Sequence, residues 1–398
     1  MLSRFQRHPD ARAFAGREEV LRTDGSATAH IPAHPLAKAF EGLDRALGNR
    51  SPFCVSDTLP PNLGTLAPDH FATLTGGTSG TPKVILRTQK SWISSFETNA
   101  AHFAYTSKDS IAVLGALSHS LALYGVLEGL HLGLTVHALS PLKPTAQSDT
   151  LHSARCTVLY ATPTQLRLLP TGKTLSHVRL ILCGGGTLSG ATRTHITSLC
   201  PNAAIHVFYG AAETSFITLS DDQTPTGSVG RPYPHVEISV RDPDDTGAGT
   251  LWVRSPYLFE GYLHGDSSHT QREGDWLTLG EVGRLDNEGY LHLRGRAGRV
   301  FNISDKTVYP EEIEAHLMSL EGIIQCAVLA RPDPMRGHHL IVAVEGTENT
   351  DRRAALLNHF KEHHMALPRE VVFLAPFPIL PSGKPDLVRI AALIGSTV

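Results

Sequence analysis

The chain has 398 residues, of which 41% are hydrophobic and 18% charged, with a net charge of −3. That length holds two or three domains with sizeable cores, and the composition excludes a disordered chain. The near-neutral charge gives no ground for a nucleic-acid or anionic-membrane partner. The first twenty residues lack the apolar run of a signal peptide, and no stretch reaches the length of a membrane span. Cys54, Cys156, Cys183, Cys200 and Cys326 are widely spaced and form no CxxC pair. They read as buried thiols of a reducing cytoplasm, against a zinc site or a disulfide framework. The histidine pairs His338–His339 and His363–His364 lie in polar surroundings and read as surface residues.

Residues 1–70 show weak periodicity and predict a short helical lead-in, then a Pro-rich connection around Leu59–Pro61. Beyond residue 71, short apolar runs alternate with helical stretches: IAVLGAL, LALYGVLEGLHLG, TVHAL, TVLYATP, VRLILCGGG and AIHVFYG. Strands alternating with helices predict βαβ units and a largely parallel sheet, and runs such as VRLILC suit strands covered on both faces. From about residue 228 to 297 the pattern is β-rich, with a hairpin signal at Asp286-Asn287-Glu288-Gly289. Pro310, followed by Glu311, Glu312 and Glu314, opens a helix. Two strands, a charged helix over 353–364 and the run VVFLAPFPIL complete an α+β unit. The expected fold is therefore α/β: a large N-terminal domain of layered βαβ sheets with a β-rich section, 1–297, and a small mobile α+β domain, 298–398.

Three short segments carry chemistry in their residue types. In LTGGTSGTPK, residues 74–83, three glycines and four hydroxyl residues precede a lysine. Such a loop can wrap backbone N–H groups around phosphate oxygens, although the Walker A spacing is absent. Gly184, Gly185 and Gly186 end an apolar strand and permit close approach of a flat base or an acyl chain. Lys384 is framed by Pro381, Ser382 and Gly383.

The run Thr75, Gly76, Gly77, Thr78, Ser79, Gly80 to Lys83 resembles the phosphate loop of the acyl- and aryl-adenylating enzymes. That family includes acyl-CoA synthetases and the adenylation domains of peptide synthetases. Five further segments keep the family's order over residues 71–390. One is the Gly184–Gly186 turn. YGAAET, with Tyr209, Gly210, Ala211, Ala212, Glu213 and Thr214, resembles the segment that borders adenine and the acyl carbonyl. WLTLGEVGRLDNEGYLHLRGR resembles the segment that holds ribose; there Glu281 and Leu279 stand where relatives carry aspartate and threonine, and Arg296 matches the arginine on ribose or phosphate. A glutamate still accepts two hydroxyl hydrogen bonds, one methylene further out. The segment opening the small domain puts the hinge on Gly298, and Asp305 replaces a family glycine on the acceptor's path. The last segment makes Lys384 the lysine that orients carboxylate and phosphate.

What the resemblance implies is ATP-dependent activation of a small carboxylic acid through an acyl-adenylate, with release of pyrophosphate. Lys384 and Glu213 are the expected catalytic residues, with Mg²⁺ on Glu213 and Thr78. His119 is expected to border the acyl pocket; Tyr124 and Trp92 are secondary candidates for it and read as core residues first. The acyl acceptor is coenzyme A, the phosphopantetheine of an acyl carrier protein, or an amine. A nucleotide-binding homologue impaired in catalysis is the rival reading. The chain resembles a compact cytoplasmic member with a shortened N-terminus, since 74 residues precede Thr75, and is expected to be a monomer or homodimer.

Overall fold

The computed structural model describes residues 3–23, 25, 29–75, 83–304, 306–320, 322–380 and 383–395. At its centre lie the fully buried strands Ser110–Val113, Val158–Ala161 and Leu180–Cys183. Their side chains alternate between two apolar layers. Ile111, Val113, Tyr160 and Leu182 face the helix Ser120–Leu132; Ala112, Leu159, Ile181 and Cys183 face Leu166, Ile196 and Leu199. This alternation is why the strands read as continuous apolar runs: both faces of a parallel sheet are covered by its crossover helices. The strands belong to a nine-stranded sheet that is parallel in its middle and antiparallel at both ends.

The expectation for residues 1–70 is corrected. The segment holds the helix Leu36–Gly48, but it also supplies strands to two sheets. Arg12–Ala15 runs parallel to Thr135–Ala138, and Phe14 stacks on His137 with ring centroids 4.6 Å apart. His30–Pro32 and Cys54–Ser56 join His70–Leu74, Val84–Thr88 and Gly261–His264 in a second sheet. Three- and four-residue strands are too short to show an alternation of their own; their backbone partners, far along the chain, define them.

The β-rich section is a six-stranded sheet, and the expected hairpin is its edge, with Glu281–Leu285 paired to Leu291–Arg296. The small C-terminal unit is a five-stranded sheet built around Cys326–Asp333 and Gly337–Glu345. Helices Pro310–Met318 and Thr350–Glu362 cover one face through Ile313, Leu317, Leu356 and Phe360. A helix absent from the sequence reading, Leu387–Ile394, covers the other face through Leu387 and Ile390. Asp386 caps its start by accepting from the Arg389 N–H, and Gly395 ends it in the left-handed region at φ 62°. Among the described residues, no helix is long and apolar enough to cross a membrane.

Candidate functional site

Strands His70–Leu74 and Val84–Thr88 pair antiparallel, and Leu74 lies opposite Val84. The connection between them is the Gly/Thr-rich run. Its two ends are fastened: the Thr75 N–H donates to the Lys83 carbonyl at 3.0 Å, and the Lys83 N–H donates to Thr75 Oγ1 at 3.2 Å. Gly76, Gly77, Thr78, Ser79 and Gly80 lie outside the described residues, as does Asp305. The Lys83 ammonium sits 5.1 Å from the centre of the Tyr262 ring.

Strands Ala204–Ala211 and Ser215–Leu219 form a tight hairpin with Glu213 in its turn. Gly210 is required there, because a Cβ would stand 1.9 Å from the Ser215 carbonyl oxygen. Thr214 serves the turn itself, its hydroxyl accepting from the Ala211 N–H at 3.0 Å. Glu213 is buried, and its Oε1 accepts a hydrogen bond from the Tyr262 hydroxyl at 3.0 Å.

Beneath this turn lies a residue the sequence reading missed. Arg87 is fully buried, and its guanidinium donates to the Ala212 carbonyl at 2.5 Å, to Ser215 Oγ at 2.9 Å and to the Tyr257 carbonyl. Burial pushes Arg87 down to about 9, and the charge of Glu213 opposes that shift. The available signal was a lone cation inside the otherwise apolar strand VILRT. A buried cation persists only when paired or well bonded. Replacing Arg87 by methionine strands three acceptors. The expected result is a loss of about 3 kcal/mol of stability, read as a lower denaturant midpoint. An unchanged midpoint would refute this role.

Glu281 stands opposite Arg296 in the edge hairpin, with Arg296 Nε 3.7 Å from Glu281 Oε1. Burial pushes the Glu281 carboxyl above the usual carboxylate range, while Arg296 opposes it. Tyr209 is next to it: burial and the Glu281 charge hold its phenol well above its ordinary value. Its hydroxyl has no partner in hydrogen-bond geometry among the described residues.

Lys384 meets this group from the small unit. Burial and the nearby Arg296 push its ammonium below the ordinary lysine range, and Glu213 and Glu281 oppose that. Its turn is held by its own backbone, with the Leu380 N–H donating to the Lys384 carbonyl at 2.8 Å. Thr164, in the short helix Pro163–Leu168 of the large unit, fixes the turn by donating from Oγ1 to the Gly383 carbonyl at 3.0 Å. The result is a cleft of about 1210 Å³ lined by Gly185, Gly186, Tyr209, Gly210, Glu281 and Arg296 on one side and by Gly383 and Lys384 on the other. That volume exceeds what a nucleotide-sized ligand needs.

Other expected residues lie elsewhere. Gly184 is packed under Phe208, where a Cβ would fall 2.0 Å from the ring, and it does not line the cleft. The acyl-pocket reading of Tyr124 is corrected: its ring packs against Trp92, Phe96 and Phe216, and its hydroxyl is taken by Ser95 and Asn99. Its run LALYGVLEG is apolar but for Glu128, and the helix it forms is sunk in the core. His119 is half-buried at the start of that helix and is shifted down by burial, with Asp57 opposing. Gly298 lies in a single 3₁₀ turn without a positive φ; a Cβ there would approach His269 Nε2 to 2.7 Å. On its two sides, Arg296 pairs with Glu281, and Arg299 pairs with Glu311 at 3.2 Å and Glu314 at 2.8 Å.

Residues 17–263 match the family model described as AMP-binding enzyme, and residues 312–384 match the AMP-binding enzyme C-terminal domain. Among curated proteins, the uncharacterized acyl-CoA ligase YhfT of Bacillus subtilis is 29% identical over 83% of this chain and 70% of its own length. The putative long chain fatty acid-CoA ligase VraA of Staphylococcus epidermidis is 32% identical over 68% of this chain and 59% of its own length. The chain thus spans only part of these relatives. Among solved structures, o-succinylbenzoate CoA synthetase (MenE) from Bacillus subtilis, in complex with the acyl-adenylate OSB-AMP, superposes with a TM-score of 0.70. It is 22% identical, over 85% of this chain and 78% of that one. The amide bond synthetase McbA from Marinactinospora thermotolerans gives a TM-score of 0.67 and 24% identity, over 81% of this chain and 69% of that one. These likenesses carry the fold, a large N-terminal and a small C-terminal domain. With one family model matched across most of the large unit and its companion across the small one, the chain belongs to the AMP-binding enzyme family.

Proposed function

We propose that this protein is an AMP-forming acid–thiol ligase that activates a carboxylic acid with ATP and transfers the acyl group to coenzyme A. The observation that carries the reading is the convergence of Lys384, from the small unit, on the Glu213, Glu281 and Arg296 group of the large one. In the first step a carboxylate oxygen attacks the α-phosphorus of ATP. The bond from that phosphorus to its bridging oxygen breaks, and pyrophosphate leaves. Lys384 sets a cation beside two anions as they approach, which offsets their repulsion and stabilises the charge that builds. The Thr75–Lys83 loop holds the leaving phosphates with backbone N–H groups and the Lys83 ammonium.

Glu281 accepts from the ribose hydroxyls, Arg296 contacts ribose or phosphate, and the open Tyr209 hydroxyl completes its bonding on the nucleotide. Gly185, Gly186 and the Gly210–Ala212 backbone border adenine and the acyl carbonyl. Glu213 suits a hard divalent cation, because a carboxylate with one hydrogen bond from Tyr262 keeps further lone pairs for it. When bound, Mg²⁺ neutralises phosphate charge. In the second step the thiol sulfur attacks the acyl carbon, AMP leaves, and the thiol proton passes to solvent. Gly298 is the hinge between 1–297 and 298–398: Arg296 ties the chain before it to the large unit, and Arg299 ties the chain after it to the small one. The reading also puts the enzyme in the cytoplasm, where ATP and coenzyme A are supplied.

The test is exchange of labelled pyrophosphate into ATP across a panel of carboxylic acids. Coenzyme A, a phosphopantetheine-bearing carrier protein and an amine are then compared as acceptors. Exchange with at least one acid and thioester formation with coenzyme A are expected. No exchange with any acid, while AMP still binds, would overturn the reading in favour of an impaired homologue. A companion variant, Glu281→Ala, removes two charge-assisted hydrogen bonds from ribose. The KM for ATP is expected to rise about 10- to 100-fold, and an unchanged KM would remove Glu281 from the ribose site.

A further inference from the structure

Helices Pro310–Met318 and Thr350–Glu362 lie side by side on one face of the small unit's sheet. Three imidazoles meet where they end. His316 is in the last turn of the first helix, His359 is in the last turn of the second, and His363 is the residue that closes it. His359 and His363 are four apart, so one helix turn brings them to the same side. His316 Nε2 and His359 Nε2 are 2.7 Å apart, and ring centroids are separated by 4.9, 5.1 and 4.2 Å around the triangle. One ring nitrogen from each of the three lies within 4.8 Å of the other two.

Protein-only bonding leaves this arrangement incomplete. A neutral imidazole carries one N–H and one acceptor nitrogen, so the single N–H···N bond of the His316–His359 pair uses one nitrogen of each ring and does not reach His363. Two helix C-termini converge on the same point, and each presents carbonyl oxygens and a partial negative charge. Glu362 adds a carboxylate beside His359. Nitrogen donors set in a negative field are what a borderline divalent cation selects. Three imidazoles at about 2.0–2.1 Å from a tetrahedral zinc ion would have nitrogens about 3.3 Å apart, a spacing small ring rotations provide here.

We propose that His316, His359 and His363 form a zinc-binding site on the small C-terminal unit, with the fourth position left to water. The ion pins the ends of the two helices together. Because His316 also borders the large cleft, the pinned corner is part of the cleft wall. The site rests on helix geometry and is independent of the proposed acid activation.

The test uses the full chain, stripped with a chelator and titrated with Zn²⁺ without nucleotide. Calorimetry is expected to give one equivalent of zinc per chain and a raised melting temperature. Cobalt in place of zinc is expected to produce visible absorption bands of tetrahedral nitrogen coordination. His363 is exposed, so His363→Gln is expected to leave folding intact; His363→Gln and His359→Gln are each expected to weaken binding at least tenfold. His338→Gln, on the surface, is expected to leave binding unchanged. No saturable binding at one equivalent, or wild-type affinity in both His363→Gln and His359→Gln, would overturn the proposal.

Discussion

Lys384→Ala is expected to lower acid-dependent pyrophosphate exchange by about 100- to 1,000-fold, the scale on which losing one preorganised charge stabiliser acts. The fold is expected to survive. The turn bearing Lys384 is held by the Leu380 N–H to Lys384 carbonyl bond and by Thr164, and none of these contacts uses the lysine side chain. The denaturant midpoint therefore separates lost chemistry from lost structure. The variant is also expected to split the two half-reactions. Thioester formation from preformed acyl-adenylate should fall far less than exchange, because the lysine's work is completed when pyrophosphate leaves. Burial and Arg296 hold the Lys384 ammonium below the ordinary lysine range. The charged form is the working form, so exchange is expected to decline on the alkaline side at a lower pH than an unperturbed lysine would set. Normal exchange by Lys384→Ala would refute the assignment.

The second large effect is on stability. Glu128 is completely buried; it accepts from the Tyr160 hydroxyl at 2.6 Å and from Asn99 Nδ2 at 2.7 Å. Tyr233 bonds the same asparagine at 2.6 Å. Burial pushes the Glu128 carboxyl up to about 8. The folded chain therefore binds a proton there that the unfolded chain releases near pH 4.5. The stability this one group contributes is greatest below the unfolded value and falls as pH rises toward the folded one, by about 3 to 4 kcal/mol between pH 5 and 8. Glu128→Gln keeps the shape and the partners without the titration, so the stability of wild type relative to this variant is expected to fall by that amount over the window, while the other buried groups, His131 and His137 among them, act equally on both. Glu128→Ala is expected to lose about 3 kcal/mol at every pH, because Tyr160 and Asn99 are left unmatched. A wild-type advantage over Glu128→Gln that stays constant between pH 5 and 8 would show that Glu128 stays ionised in the fold.

The central sheet was legible because burial on both faces writes itself into sequence as unbroken apolar runs, as in Leu180–Cys183. The family was legible because its motifs come in ordered local segments, each with a fixed frame. What was hidden depends on contacts between distant parts of the chain. Arg12–Ala15 is a strand only because Thr135–Ala138 lies beside it. Arg87 looks like an ordinary charge until the Ala212 carbonyl is placed above it. Tyr124 sits in a segment apolar but for Glu128, and such a pattern does not say which face meets a ligand. His363 belongs to a polar stretch and reads as surface; only the second helix brings His316 to it.

The five thiols carry a last consequence. An acyl-adenylate is a mixed anhydride, and any thiolate within reach would be acylated by it. All five cysteines are free and buried. Burial pushes Cys54, Cys156, Cys183 and Cys200 up to about 12, and Cys326 higher still. Cys326 borders the cleft, and there its Sγ is turned to the Glu314 carbonyl at 3.6 Å. A protonated, enclosed sulfur is a poor nucleophile. The protein therefore holds a reactive acyl donor among sulfur atoms that cannot intercept it, so that the thiol it meets first is one brought from outside.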